Sequence, residues 1–307
     1  MLLLCLLLLV VPHSHQLRLS PIFSTVRSKS SNSSPPINKG PKSPPAPFLQ
    51  VLTDVDDTLK SSGGLKVADV ALGGVDAQYP RGTVYPGVFP FILELSLHPL
   101  SRTSSVQTPM NPAVLTARAE EFKAALEIKP TSAICLKAES EGLSRLGVPG
   151  WGIGPVLYGS VAEWVNQVNK GFRKFKNFEQ LKGQGFEFVE YVYLGDTGEY
   201  DEEAGVQMLR YYPEKVKGVF LHVVGETLED RERVRCEEKI VNGRPVMYFR
   251  TYIGAAVKAY RNSLMGEEGV ERVIESVYRD LKGMGIGEDD QRWRDAEREE
   301  EEWRYGS

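Results

Sequence analysis

The chain has 307 residues, 41% of them hydrophobic and 25% charged, with a formal net charge of -4. That length holds one sizeable α/β domain with appendages, or two small domains, and the composition is that of an ordinary globular protein. No overall basic field exists to attract nucleic acid, and three cysteines and four histidines without metal-ligand spacing argue against a zinc centre.

Met1 to Val11 is almost entirely leucine and valine. It is too short to span a bilayer, which needs about 20 apolar residues, and reads as the apolar core of a signal peptide. Residues 12–50 lack Asp and Glu, carry Arg18, Arg27, Lys29, Lys39 and Lys42, and run through SKSSNSSPP and KSPPAP. Such a stretch buries too little apolar surface to fold alone. It reads as a secretory linker or as an organelle transit peptide, a plastid among the destinations. Residues 1–50 are therefore expected to be a targeting leader and disordered linker.

The folded domain is expected over residues 48–265. Phe48 to Thr53 (FLQVLT) has the short apolar run of a buried strand. Pro86 opens a helical pattern through Leu97, at a favourable first-turn position. Ala113 to Leu115 predicts a second strand, Arg118 to Ile128 a helix, and Ser160 another helix with a Ser160/Glu163 capping box. Val189 to Leu194 and Gly218 to Val224 predict two further strands, separated by a helix over Glu202 to Tyr212. This alternation predicts an α/β fold with a mainly parallel, Rossmann-like sheet flanked by helices. Residues 266–307 are expected to be a C-terminal helix and a charged tail (EDDQRWRDAEREEEEWR), solvated or disordered. Cys135 and Cys236 are expected to be free thiols, Cys5 lying in the leader.

In such sheets ligands bind beyond the carboxyl ends of the strands. Asp54, Thr116 and Asp196 all stand at predicted strand ends, in VLTD, VLT and YLGD. In LTDVDDTLK three carboxylates fall within four positions. Their repulsion calls for neutralisation, which Mg²⁺ supplies through oxygen ligands at about 2.1 Å. One carboxylate can attack phosphorus, and a second, two residues on, can protonate the leaving alcohol and then activate water. An Asp-rich helix start is the plain alternative. Arg118 has the planar fork to pair with phosphate, or is surface charge.

DVDDT resembles the first motif of the haloacid dehalogenase superfamily, DxDx(T/V). The resemblance implies that Asp54 is the nucleophile and Asp56 the acid/base, which also offers its backbone carbonyl to the metal. It implies that Thr116, in VLTAR, holds a phosphoryl oxygen. It also calls for a lysine ahead of the final strand, from Lys170, Lys174 and Lys176 in NKGFRKFKNFEQL. Finally, YLGDTGEYDEE is similar to the superfamily's last acidic motif, GDxxxxD, which makes Asp196 and Asp201 metal ligands. Gly195 is expected to permit a sharp turn there.

Within the superfamily, DVDDTLKSSGG, YPGVFPFI, LTAR, KFKNF and YLGDTGEYD together resemble the actin-patch phosphatidate phosphatase catalytic domain, over roughly Phe48 to Met265. That family favours Lys174, just before the helix carrying Phe178 and Leu181. Here Thr197 and Glu199 stand where the family has Ser and Gln. Only 61 residues separate Asp54 from Thr116, and 57 separate Thr116 from Lys174. A large lid does not fit, so the cap is expected to be minimal, with Gly63 to Gly82 as a flap beside the nucleophile. The resemblance implies Mg²⁺-dependent hydrolysis of a phosphomonoester, lipid phosphate included; the basic run Lys170 to Lys182 is a solvated helix face or a surface for peripheral contact with anionic lipid. A non-catalytic phosphate-binding protein and a phosphotransferase remain open beside it.

Overall fold

In the computed structural model the described residues are 48–306 except 65, 68–69, 72–73, 103–107, 120–126, 160–166, 185–186, 199 and 235. The expected leader, the helix start at Ser160 and most of the helix expected over Arg118 to Ile128 lie outside them.

Strand β1 (Phe48–Thr53) is the apolar run before Asp54, and five of its six residues are buried. It pairs in parallel with β4 (Ala113–Ala119) on one side and β6 (Val189–Asp196) on the other. Beyond β4 lies β5 (Val156–Gly159); beyond β6 lie β7 (Val216–His222), β9 (Arg244–Phe249) and β8 (Lys239–Val241). The sheet order is β5-β4-β1-β6-β7-β9-β8, and all pairings are parallel except the β8–β9 hairpin at the edge. The mainly parallel α/β architecture agrees with the alternation in the sequence. The chain leaves β1 toward β4 and β5, then returns to its other side at β6, so the crevice at the carboxyl end of β1 is a topological switch point.

Alternate residues of each strand serve opposite faces. Val51, Val114, Val192 and Leu194 face a layer that includes Phe91 and Ile92 of α1 (Val88–Leu97), Ile134 of α2 (Ala133–Leu146), Ile253 of α6 (Tyr252–Arg261) and Val273 of α7 (Glu267–Gly283). Leu52, Leu115, Tyr191 and Tyr193 face Phe175 and Phe178 of α3 (Gln167–Gln184) and Met208 of α4 (Asp201–Tyr211). No helix among the described residues is long and apolar enough to cross a membrane. Cys135 and Cys236 are unbridged.

Several expectations are corrected. Strand β4 runs on through Ala119, past the stretch read as the start of a helix. Pro86 lies before α1 rather than in its first turn: Gly87 caps the helix at φ 77, and a Cβ there would meet Val277 Cγ2 of α7 at 2.4 Å. The charged C-terminal stretch is no tail. After α5 (Leu228–Arg233), α6 and α7, it forms α8 (Gln291–Arg304), and the described residues belong to one compact unit. Buried Asp295 pairs with buried Arg231 of α5. Buried Glu299 accepts from the backbone N–H groups of Arg250 (3.0 Å), Thr251 (2.9 Å) and Gly254 (3.1 Å), satisfying the open N-terminus of α6. An arrangement of charges that looks solvated in sequence is here an internal scaffold.

Candidate active site

Asp54 follows β1 directly and its backbone N–H bonds to Leu194 O of β6 at 3.1 Å, which fixes the turn to the neighbouring strand. Asp196 closes β6, and Asp201 opens α4 five residues later. The carboxylates of Asp54, Asp196 and Asp201 are all buried and have oxygens within 4.8 Å of one another. Residues from two strand ends and one helix start thus converge at the carboxyl edge of the sheet.

Lys174 enters this cluster from α3. Its side chain is 0% exposed, its Nζ lies 3.0 Å from Asp54 Oδ2, and it also bonds to Asp201 Oδ1. It sits inside the helix rather than just before it. Lys176, two residues on, is half-exposed and pairs with Glu179 instead. Asp201 Oδ2 accepts from Asp196 N at 3.1 Å, and Asp196 Oδ1 accepts from Gly198 N at 2.6 Å, so the loop between β6 and α4 is tied by its own acids. Gly195 is needed here for closeness rather than for a sharp turn. Its φ is not in the left-handed region, but a Cβ would lie 2.5 Å from Asp201 Oδ2.

The three acids of DVDDT part company. Asp54 joins the cluster. Asp56 turns away from it: Arg118 Nε donates to Asp56 Oδ2 at 3.0 Å, Arg118 Nη2 donates to Oδ1 at 2.7 Å and Oδ2 at 2.6 Å, and Lys60 Nζ lies 3.7 Å from Oδ1. Its carboxylate is therefore no member of the metal-type cluster; the resemblance asks only for its backbone carbonyl. Burial pulls the Arg118 guanidinium down, but Asp56 outweighs burial and holds it above its usual value. The Lys60 ammonium is lowered, by burial first, with Arg118 and Arg81 adding repulsion against the pull of Asp56.

Asp57, with φ 59, is fully buried and points into the flap. It accepts from the backbone N–H groups of Ser62 (2.8 Å), Val75 (2.5 Å) and Asp76 (2.8 Å). Burial pushes its carboxyl up to about 6, against these bonds. Gly74 is required beside it, since a Cβ there would fall 2.2 Å from Asp57 Oδ2. The loop after the β2–β3 hairpin (Lys66–Val67, Val70–Ala71) is thus pinned to the loop that follows Asp54, and a Cβ on Gly198 would meet Val75 Cγ2 at 2.8 Å, which puts this loop against the acidic turn. Close acidic spacing alone gave no sign that Asp57 is neutralised by backbone rather than by a metal. His222, at the end of β7, braces the same loop: its Nδ1 lies 2.8 Å from Asp57 O. No motif singled it out.

Thr116 is buried in β4, and its Oγ1 accepts the Arg118 N–H at 3.2 Å. All seven residues expected at the site therefore lie on elements that meet at this edge. Asp54, Asp196, Asp201 and Lys174 form an inner cluster, and Asp56 with Arg118 forms an outer pair. Between β1 and β4 the described residues form the flap hairpin, α1 and a short 3-10 turn (Leu100–Arg102), and between β4 and α3 they form α2 and β5, with no cap domain among the described residues. No protein-family model, curated protein or solved structure matches the chain.

Proposed function

We propose that the chain is a Mg²⁺-dependent phosphomonoesterase of the haloacid dehalogenase type, acting through an aspartyl-phosphate on Asp54. The observation that carries this reading is Lys174, wholly buried between Asp54 and Asp201 with Asp196 beside them. Three buried carboxylates converge beside one ammonium, a concentration of like charge that a divalent cation suits. Hard carboxylate oxygens are the donor set that suits Mg²⁺, so Asp54, Asp196 and Asp201, with the backbone carbonyl of Asp56, would hold the ion. When bound it supplies charge compensation for the acids and the phosphoryl group.

The chain's own residues then divide the work. Asp54 attacks phosphorus, forming an acyl-phosphate bond as the ester P–O bond breaks. Asp56, having taken the proton of the incoming phosphomonoester monoanion, gives it to the departing alcohol oxygen. In the second half Asp56 takes a proton from water, whose oxygen attacks phosphorus and releases phosphate from Asp54. Lys174 fixes the Asp54 carboxylate for in-line attack, and Thr116 and Arg118 hold phosphoryl oxygens. With no cap domain among the described residues, the site suits a large or surface-held phosphomonoester. Phosphatidate falls within that class: α3, which carries Lys174, also exposes Phe172 with Lys176 Nζ 5.3 Å from its ring centroid, a basic and aromatic face suited to an anionic bilayer.

The test is phosphate release from a panel of aryl phosphate, phosphatidate and soluble phosphomonoesters, with and without Mg²⁺, for the wild type and Asp54→Asn. Release that needs both the ion and Asp54 is expected. A folded protein that binds phosphate but releases none would point to the non-catalytic reading.

A further inference from the structure

Resting on the phosphatase reading, the geometry around Asp56 has a consequence for how substrate enters. The fork of Arg118 matches a carboxylate and a phosphoryl group equally well, and the same N–H donors cannot serve both at once. In the structure they are spent on Asp56. This pair is reachable: the side chains of Arg118 and Asp56 are 16% and 14% exposed, whereas those of Lys174 and Asp201 are 0% exposed.

The parts are also held in place. Arg118 is tied to Thr116 through its backbone N–H at 3.2 Å. Lys60 sits in a short backbone ladder, bridged to Val84, with its carbonyl accepting from Asp57 N at 2.7 Å. Two cations therefore converge on one carboxylate, two residues from Asp54, from backbone positions that the fold holds in place.

We propose that Asp56 is a built-in competitor for phosphate: at rest it occupies Arg118, and an incoming phosphomonoester monoanion takes Arg118 over and passes its proton to the freed Asp56 side chain, which turns to the ester oxygen. After the reaction Asp56 passes the proton taken from water to the product phosphate, reclaims Arg118 and helps expel the product. The acid/base and the phosphate clamp are thus one exchange device, and tight product binding is traded for turnover.

The experiment is calorimetric titration of inorganic phosphate, in Mg²⁺, into the full chain in four forms: wild type, Asp56→Asn, Arg118→Lys and the double variant. Arg118→Lys keeps the charge but removes the fork, and thermal melting confirms that each form is folded. Asp56→Asn is expected to bind phosphate about tenfold more tightly than wild type, about 1.4 kcal/mol. In the Arg118→Lys background the same step is expected to change affinity by less than about threefold, because no fork remains to be released. An equal gain in both backgrounds would mean simple charge repulsion and overturns the proposal, as does an Asp56→Asn that binds no more tightly than wild type. Phosphate release measured on the same wild-type sample separates the two levels. Asp54-dependent release with a flat binding cycle removes the exchange alone, and an intact cycle without release removes the phosphatase reading alone.

Discussion

Replacing Lys174 by Met keeps the length and apolar stem of the side chain and removes only its ammonium. The side chain is 0% exposed, and its charge faces Asp54 at 3.0 Å and Asp201. Removing one partner from a buried ion pair costs about 3–5 kcal/mol, because the remaining charge is left without compensation. For a domain of this size that is a fall in melting temperature of about 6–20 °C, at about 2–4 °C per kcal/mol. The structure adds a sharper expectation. With Lys174 gone, the carboxylates of Asp54, Asp196 and Asp201 keep their charge but lose one cation, so Mg²⁺ should raise the melting temperature of the variant more than that of wild type. Differential scanning fluorimetry in EDTA and in Mg²⁺ reads both quantities. A variant melting within about 2 °C of wild type in EDTA, with no larger response to Mg²⁺, would refute the assigned role of Lys174.

Gly195→Ala should reduce phosphate release by about 10–100-fold and raise the Mg²⁺ needed, since the new Cβ meets the Asp201 carboxylate; unchanged Mg²⁺ dependence would count against the geometry. Glu299→Ala should cost roughly 2–4 kcal/mol in urea unfolding, because it strips three backbone N–H groups at the start of α6 of their acceptor; a loss of less than about 0.5 kcal/mol would show α8 to be dispensable. Asp57 titrates near 6 when folded, against 3.8 as the ordinary value, so the folded chain keeps a proton that the unfolded chain has lost. Its contribution is thus most favourable below pH 4 and declines as pH rises to 6. In EDTA, wild type should lose up to roughly 3 kcal/mol relative to Asp57→Asn between these pH values, and a constant difference would refute the shift.

Strands β1, β6 and β7 were legible because buried parallel strands are short, nearly continuous apolar runs, and Asp54 after β1 and Asp196 at the end of β6 stand at the edge where such sheets bind ligands. Lys174 was harder to place. NKGFRKFKNF offers several lysines, and only the helical phase of α3, which buries Phe175 and Phe178 on the sheet side, turns Lys174 inward. Asp57 was unreadable in a run of like acids, since its acceptor role depends on N–H groups 18 and 19 residues away. The C-terminal helix misled for a related reason. Polar residues usually mark a solvated face, but Asp295 and Glu299 are buried against Arg231 and the start of α6, partners remote in sequence. The turn at Asn242-Gly243, with φ of 49° and 75°, carries a strong hairpin signal that joins β8 to β9 and was there to be read.

The account stands on covalent catalysis by Asp54, and the most direct measurement is intact mass after brief reaction of Asp56→Asn with p-nitrophenyl phosphate and Mg²⁺. The nitrophenol leaves without help from an acid, while the second half lacks its base, so the phosphoenzyme should accumulate. The account predicts a gain of one phosphoryl group, labile to hydroxylamine, mapping to Asp54 and missing when Asp54 is also changed to Asn. Substrate turned over with no such adduct, or an adduct that survives loss of Asp54, would contradict it.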